Sequence, residues 1–171
     1  MIGIAEAVLG AGCVQAALSR EFLETLEVQS VLEGVAARLA IEQGVSETHL
    51  RSIRVCLSAV DRLKQSAMSV FVFAEYVRLN ASFHTLILQL APCSAFFRQL
   101  DGEPVTPFKL PDMLPLVQAN LALFRKILLL EQEQHCSIVE AIERGHGARA
   151  EYLLREHSGI AARQLSPEAR A

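Results

Sequence analysis

The chain has no tryptophan, and aromatic residues make up only 6% of its 171 positions. Packing must therefore come mainly from Leu, Val, Ile and Ala, within a hydrophobic fraction of 51% and a mean hydropathy of +0.30. A basic excess is missing too: 16 Lys and Arg against 19 Asp and Glu leave a net charge of −3. With no basic stripe, this chain alone is not expected to grip DNA by neutralising phosphates. Its four cysteines (Cys13, Cys56, Cys93, Cys136) contain no CxxC pair, which argues against a zinc ribbon and for reduced structural thiols. No uninterrupted apolar stretch reaches the roughly 18 residues of a membrane span. The nearest, 68–97, is interrupted by Glu75, Arg78, Asn80 and His84. The opening MIGIAEAVLGAGC has the look of a signal peptide or lipobox. It carries Glu6, lacks Lys or Arg before Arg20, and has Gly10 where a lipobox wants Leu. A cytoplasmic protein without membrane association is the expectation.

What is present is helical periodicity. Residues 1–18 read as a Gly- and Ala-rich lead-in, and Ser19 offers an N-cap with Glu21 in the first turn. Val28, Val31, Leu32, Val35 and Leu39 then follow at helical spacing up to Gly44. A second helix from Ser46 carries Leu50, Ile53, Leu57, Val60 and Leu63, and a third runs from Ser69 to Ala91 before Pro92. A short helix at 94–100 leads into the loop DGEPVTPFKLP, which holds three of the six prolines. Residues 112–144 read as helix with a break near Glu131–Glu133, GHG at 145–147 as a turn, and 148–165 as the last helix. Period-2 alternation is nowhere sustained. These signals predict an all-α fold, a single antiparallel bundle of six or seven helices over 19–165, with a polar tail at 166–171.

Three of the five histidines fall where these helices should be apolar. Asn80 and His84, at i and i+4, project about 40° apart, among Phe73, Val77, Ile87 and Leu88 and away from Glu75, Arg78, Ser82 and Gln89. His135 groups with Ile138, Val139 and Ile142, and His157 with Leu153, Ile160 and Ala161. His49, in a first turn, and His146, between glycines, are not expected in any site. A buried imidazole needs a partner. Each can be a core histidine bonded to a neighbour, or the three with Asn80 can share one transition metal. Both readings stand at this point. Neutral imidazoles and an amide would leave the metal's charge uncancelled, which favours an anionic ligand, most simply a carboxylate.

The same residues carry a family resemblance. VQSVLEGVAARLA at 28–40, NASFH at 80–84, QHCSIVEAIERG at 134–145 and ARAEYLLREH at 148–157 occur in order and spacing. With these the chain resembles the FCD domain, the all-helical effector-binding domain of FadR-type GntR-family transcription regulators, over about 19–165. The resemblance implies a divalent metal (zinc, with nickel or manganese as alternatives) held by Asn80, His84, His135 and His157, and a small carboxylate effector beside it. It also implies a homodimer that reaches DNA only through a winged helix-turn-helix domain. Only GAGCVQAALS at 10–19 resembles the end of such a domain's wing and linker, so the chain reads as an effector domain lacking its DNA-binding part. Asn80 stands where the family more often has Asp, Gln29 where Arg is frequent, and Gln134 where Glu precedes the histidine.

Gln29, Arg78 and Gln132 are the further effector-binding candidates, with solvated or rim side chains as the plain alternative. Two other functions compete with the sensor. A helical metal-dependent hydrolase would need an open coordination position and a general base, and none is apparent; Glu143–His146 fits ExxH but sits in a turn. A ligand-free oligomerisation module would use the apolar stretches Val28–Leu39 and Leu114–Leu130 for self-association. The expectation is that the chain is not an enzyme.

Overall fold

A computed structural model describes residues 20–90 and 110–165, and every regular element among them is an α-helix. Seven follow in order: α1 (Arg20–Gln43), α2 (Glu47–Lys64), α3 (Val70–Leu88), α4 (Leu110–Ala119), α5 (Leu121–Glu143), α6 (Gly147–His157) and α7 (Gly159–Leu165). The lead-in 1–18, the Ser19 cap, the 94–100 helix, most of the proline-rich loop and the 166–171 tail lie outside the described residues.

Local chemistry sets most helix ends. Gly44 at φ +91° and Gly145 at φ +73° take the left-handed conformation that ends α1 and α5. Ser69 accepts a hydrogen bond from the Val72 N–H (3.2 Å) and so starts α3. The break expected near Glu131–Glu133 falls instead at Asn120, whose side-chain oxygen accepts from the Leu123 N–H (3.0 Å). From there α5 runs unbroken to Glu143. Glu and Gln are good helix formers, so the EQEQ run changes what the helix presents without interrupting its backbone. The single last helix expected over 148–165 is divided at Ser158 into α6 and α7.

α2 packs on α3 and α5, α1 on α6 and α3, and α5 on α6, with α4 against α3 and α5 and α7 against α5 and α6. The core is aliphatic with a few rings: Phe73 meets Phe124 edge-on at 4.8 Å, over Ile53, Ile127, Leu128 and Ile138. No helix among the described residues is long and apolar enough to cross a membrane. Cys56 and Cys136 are free thiols, the first buried.

The face of α1 that turns inward is not the one its large residues mark. Val28 is 61% exposed and Val31, Leu32, Val35 and Leu39 are half-buried, whereas Leu26, Gln29, Ser30, Glu33, Ala36, Ala37 and Ala40 are buried. The reason is the close approach of α6. A Cβ built on Gly34 would lie 3.0 Å from Glu151 Cγ and 3.1 Å from the Glu151 carbonyl oxygen. Small residues let the two backbones meet, and the Arg38–Glu151 ion pair (2.8 Å) sits beside that contact. Gly34→Ala is therefore expected to destabilise the protein by about 1 kcal/mol or more, even though alanine is the better helix former by roughly that amount. A urea midpoint that stays level or rises would refute the tight contact.

Candidate metal centre

α3, α5 and α6 each contribute one histidine to a common point. His84 is 6% exposed, His135 is fully buried and His157 is 5% exposed. One ring nitrogen from each lies within 4.8 Å of the others. The 3–4 spacing along α5 explains the placement. Phe124, Leu128, Glu131, His135, Ile138 and Ile142 form one buried stripe, and His135 rides on it, its ring 4.0 Å from that of Phe83.

Two of the three imidazoles are oriented by a second partner. His84 Nδ1 lies 2.9 Å from Glu33 Oε2, and Glu33 Oε1 accepts from Gln29 Nε2 at 2.7 Å. His157 Nδ1 lies 3.1 Å from the Gln134 side-chain oxygen. That oxygen only accepts, so Nδ1 carries the proton and Nε2 presents its lone pair. His135 Nε2, 2.9 Å away, then donates to His157 Nε2, which leaves His135 Nδ1 buried with no partner among the described residues. With Nδ1 bonded outward, His84 keeps its Nε2 for a ligand, and His157 Nε2 becomes available to one that displaces the His135 hydrogen bond, the pattern seen in carboxylate–histidine–metal arrangements.

The electrostatics divide the three. Burial, then the charges of His157 and His84, holds His135 well below the usual histidine range. Burial and His84 do the same to His157, so both are neutral and ready to coordinate. Burial pulls His84 down as well, but the charge and hydrogen bond of Glu33, with the charge of Glu131, outweigh it and leave His84 raised. Burial pushes Glu131 up to about 7 against the downward pull of its hydrogen bond from Tyr76 and of His84.

Glu33, His84, Glu131, His157, Gln29 and Ser30 line one cavity of about 20 Å³, room for a water molecule or an ion. Glu33 and Glu131, at 1% and 2% exposure, are functional candidates that sequence reasoning missed, as is Tyr76, whose hydroxyl donates to Glu131. A signal existed for both acids. Glu33 shares its spacing with Leu26, Ser30, Ala37 and Ala40, and Glu131 stands in the α5 stripe one turn before His135.

Of the other sequence candidates, Gln29 is brought to the cavity. Asn80 is 1% exposed, one turn before His84, and neither of its amide atoms has a partner among the described residues. Arg78 is not brought there: it is exposed and paired with Glu75 at 2.6 and 2.9 Å. Gln132 is fully buried but faces α2, donating to the Leu57 carbonyl (3.1 Å) and Asp61 (3.3 Å). His49 and His146 are exposed, and Glu143 pairs with Arg54 at 2.6 Å, so the ExxH pair forms no site.

The residues present fit a divalent transition metal. Imidazole nitrogen suits zinc and nickel, two rings are already neutral, and the unpartnered atoms of Asn80 and His135 are buried polar groups that cost about 1–3 kcal/mol each when left unmatched. No protein-family model matches the chain, and no curated protein is detectably similar to it.

Proposed function

We propose that this chain is the sensing domain of an FCD-type transcription regulator, built around one divalent transition metal inside the bundle. The observation that carries the reading is the meeting of His84, His135 and His157, three buried imidazoles from three helices, with ligand atoms within 4.8 Å of one another. The ordered sequence resemblance supports it from a different direction, since three of its four motifs contain these same residues. In this reading the metal supplies a fixed positive charge that draws ligand groups from separate helices together. Glu33 orients His84 from α1 and Gln134 orients His157 from α5. Occupancy then shifts the population between looser and tighter packings of α1, α3, α5 and α6. An attached winged-helix domain, paired through a homodimer, would read that shift.

A hydrolase is the weaker reading. Glu131 lines the cavity, but the Tyr76 hydroxyl already engages the carboxylate that would have to act as a base. Elemental analysis of untagged protein tests the proposal. About one equivalent of zinc, nickel or manganese is expected, and its loss in a His84→Ala/His135→Ala variant. No metal in either protein, even after incubation with excess zinc, would leave the histidines as core residues of an oligomerisation module.

A further inference from the structure

We propose that the cation itself is the ligand this site senses, and that Glu33 and Glu131 close the loaded site to a carboxylate. The inference rests on the metal-centre reading and departs from the small carboxylate effector that the resemblance implies. An anionic effector is drawn to a metal whose charge the protein leaves uncancelled. Three neutral imidazoles and an amide would leave two positive charges. The buried carboxyl groups of Glu33 and Glu131 line the same cavity as His84 and His157, and with a cation bound beside them they would balance its two positive charges. A carboxylate entering there would be a third negative group beside two others, in a place where unbalanced charge is costly.

Two further observations agree. No Lys or Arg is among the described residues that line the cavity. Where the family often has arginine, Gln29 is neutral, and its amide is engaged with Glu33 at 2.7 Å. The water-accessible space between these groups, about 20 Å³, is enough for an ion or a water. The ligand-side groups also come from four helices, Glu33 on α1, His84 on α3, Glu131 and His135 on α5 and His157 on α6. Cation binding alone can therefore tighten the bundle, with no organic molecule needed to transmit the signal.

The test uses untagged protein stripped of metal with EDTA and dialysed. Zinc chloride is titrated in, and acetate, lactate, succinate and benzoate are then added at millimolar concentration to the zinc-loaded protein. Zinc alone is expected to raise the unfolding temperature by about 5–10 °C when about 100-fold above its dissociation constant, with no further rise from any carboxylate. A carboxylate that raises it further in the loaded protein, but not in His84→Ala, overturns the inference and leaves the metal centre standing. Failure of zinc to bind overturns both.

Discussion

Glu131→Gln is expected to make the metal-free protein more stable and the metal-loaded protein harder to form. Glu131 is fully enclosed and its folded pKa is about 7, raised from 4.5 mainly by burial. The folded state therefore holds this proton more tightly than the unfolded chain does. The sign follows: between pH 4.5 and 7 the unfolded state loses the proton first, so stability falls as pH rises, and the full cost is present above 7. At roughly 1.4 kcal/mol per pKa unit, that cost is about 3 kcal/mol at pH 8 and nearly absent at pH 4.5. Glutamine keeps an oxygen to accept from the Tyr76 hydroxyl and never ionises. Urea unfolding in EDTA should show the variant more stable than wild type at pH 8, the difference shrinking as pH is lowered. A difference that does not change with pH would mean that Glu131 does not titrate in the folded protein. Zinc affinity should move the other way, weakening about 10- to 100-fold as for lost groups around a metal's direct ligands. Glu133→Gln, an exposed neighbour on the same helix, should change neither quantity.

His135→Ala is expected to weaken zinc binding by on the order of 100-fold or more, taking one ligand's share of the free energy typical of structural zinc sites. Of the three histidines, His135 is the one with least else to do. Its Nδ1 has no partner, and its Nε2 reaches only His157. The ring also packs on Phe83, so truncation leaves a cavity that costs about 2 kcal/mol or more. Affinity must for that reason be read by competition with a chromophoric chelator at a temperature where the variant is fully folded. His49→Ala, exposed on α2, is the control and should bind zinc as wild type does. Equal affinity in the His135 and His49 variants would remove His135 from the centre.

The fold was legible because its signals are local. Gly44, Ser69 and Gly145 end or start helices through their own backbone and side-chain chemistry, and no tertiary information is needed to see that. The three histidines were legible because a 3.6-residue period places each among apolar neighbours on its own helix. What was hidden depends on other helices. The large residues of α1 suggested one inward face, but the approach of α6 at Gly34 admits only small side chains and turns Glu33 inward instead. Glu131 was lost behind an expected helix break, since a run of Glu and Gln looks like a solvated interruption until α5 is seen to pass through it. Arg78 and Gln132 show the converse. Nearness in sequence to a ligand-bearing turn says nothing about direction, and Gln132, three residues before His135, faces the Leu57 carbonyl of α2.

The most direct measurement is zinc-edge X-ray absorption on the untagged, zinc-loaded protein. Three imidazole nitrogens from His84, His135 and His157, at about 2.0–2.1 Å from the metal, are the result this account predicts, and the imidazole signal should fall by one in the His157→Ala variant. A first shell made of oxygen or sulfur alone, or an unchanged spectrum in that variant, would contradict it.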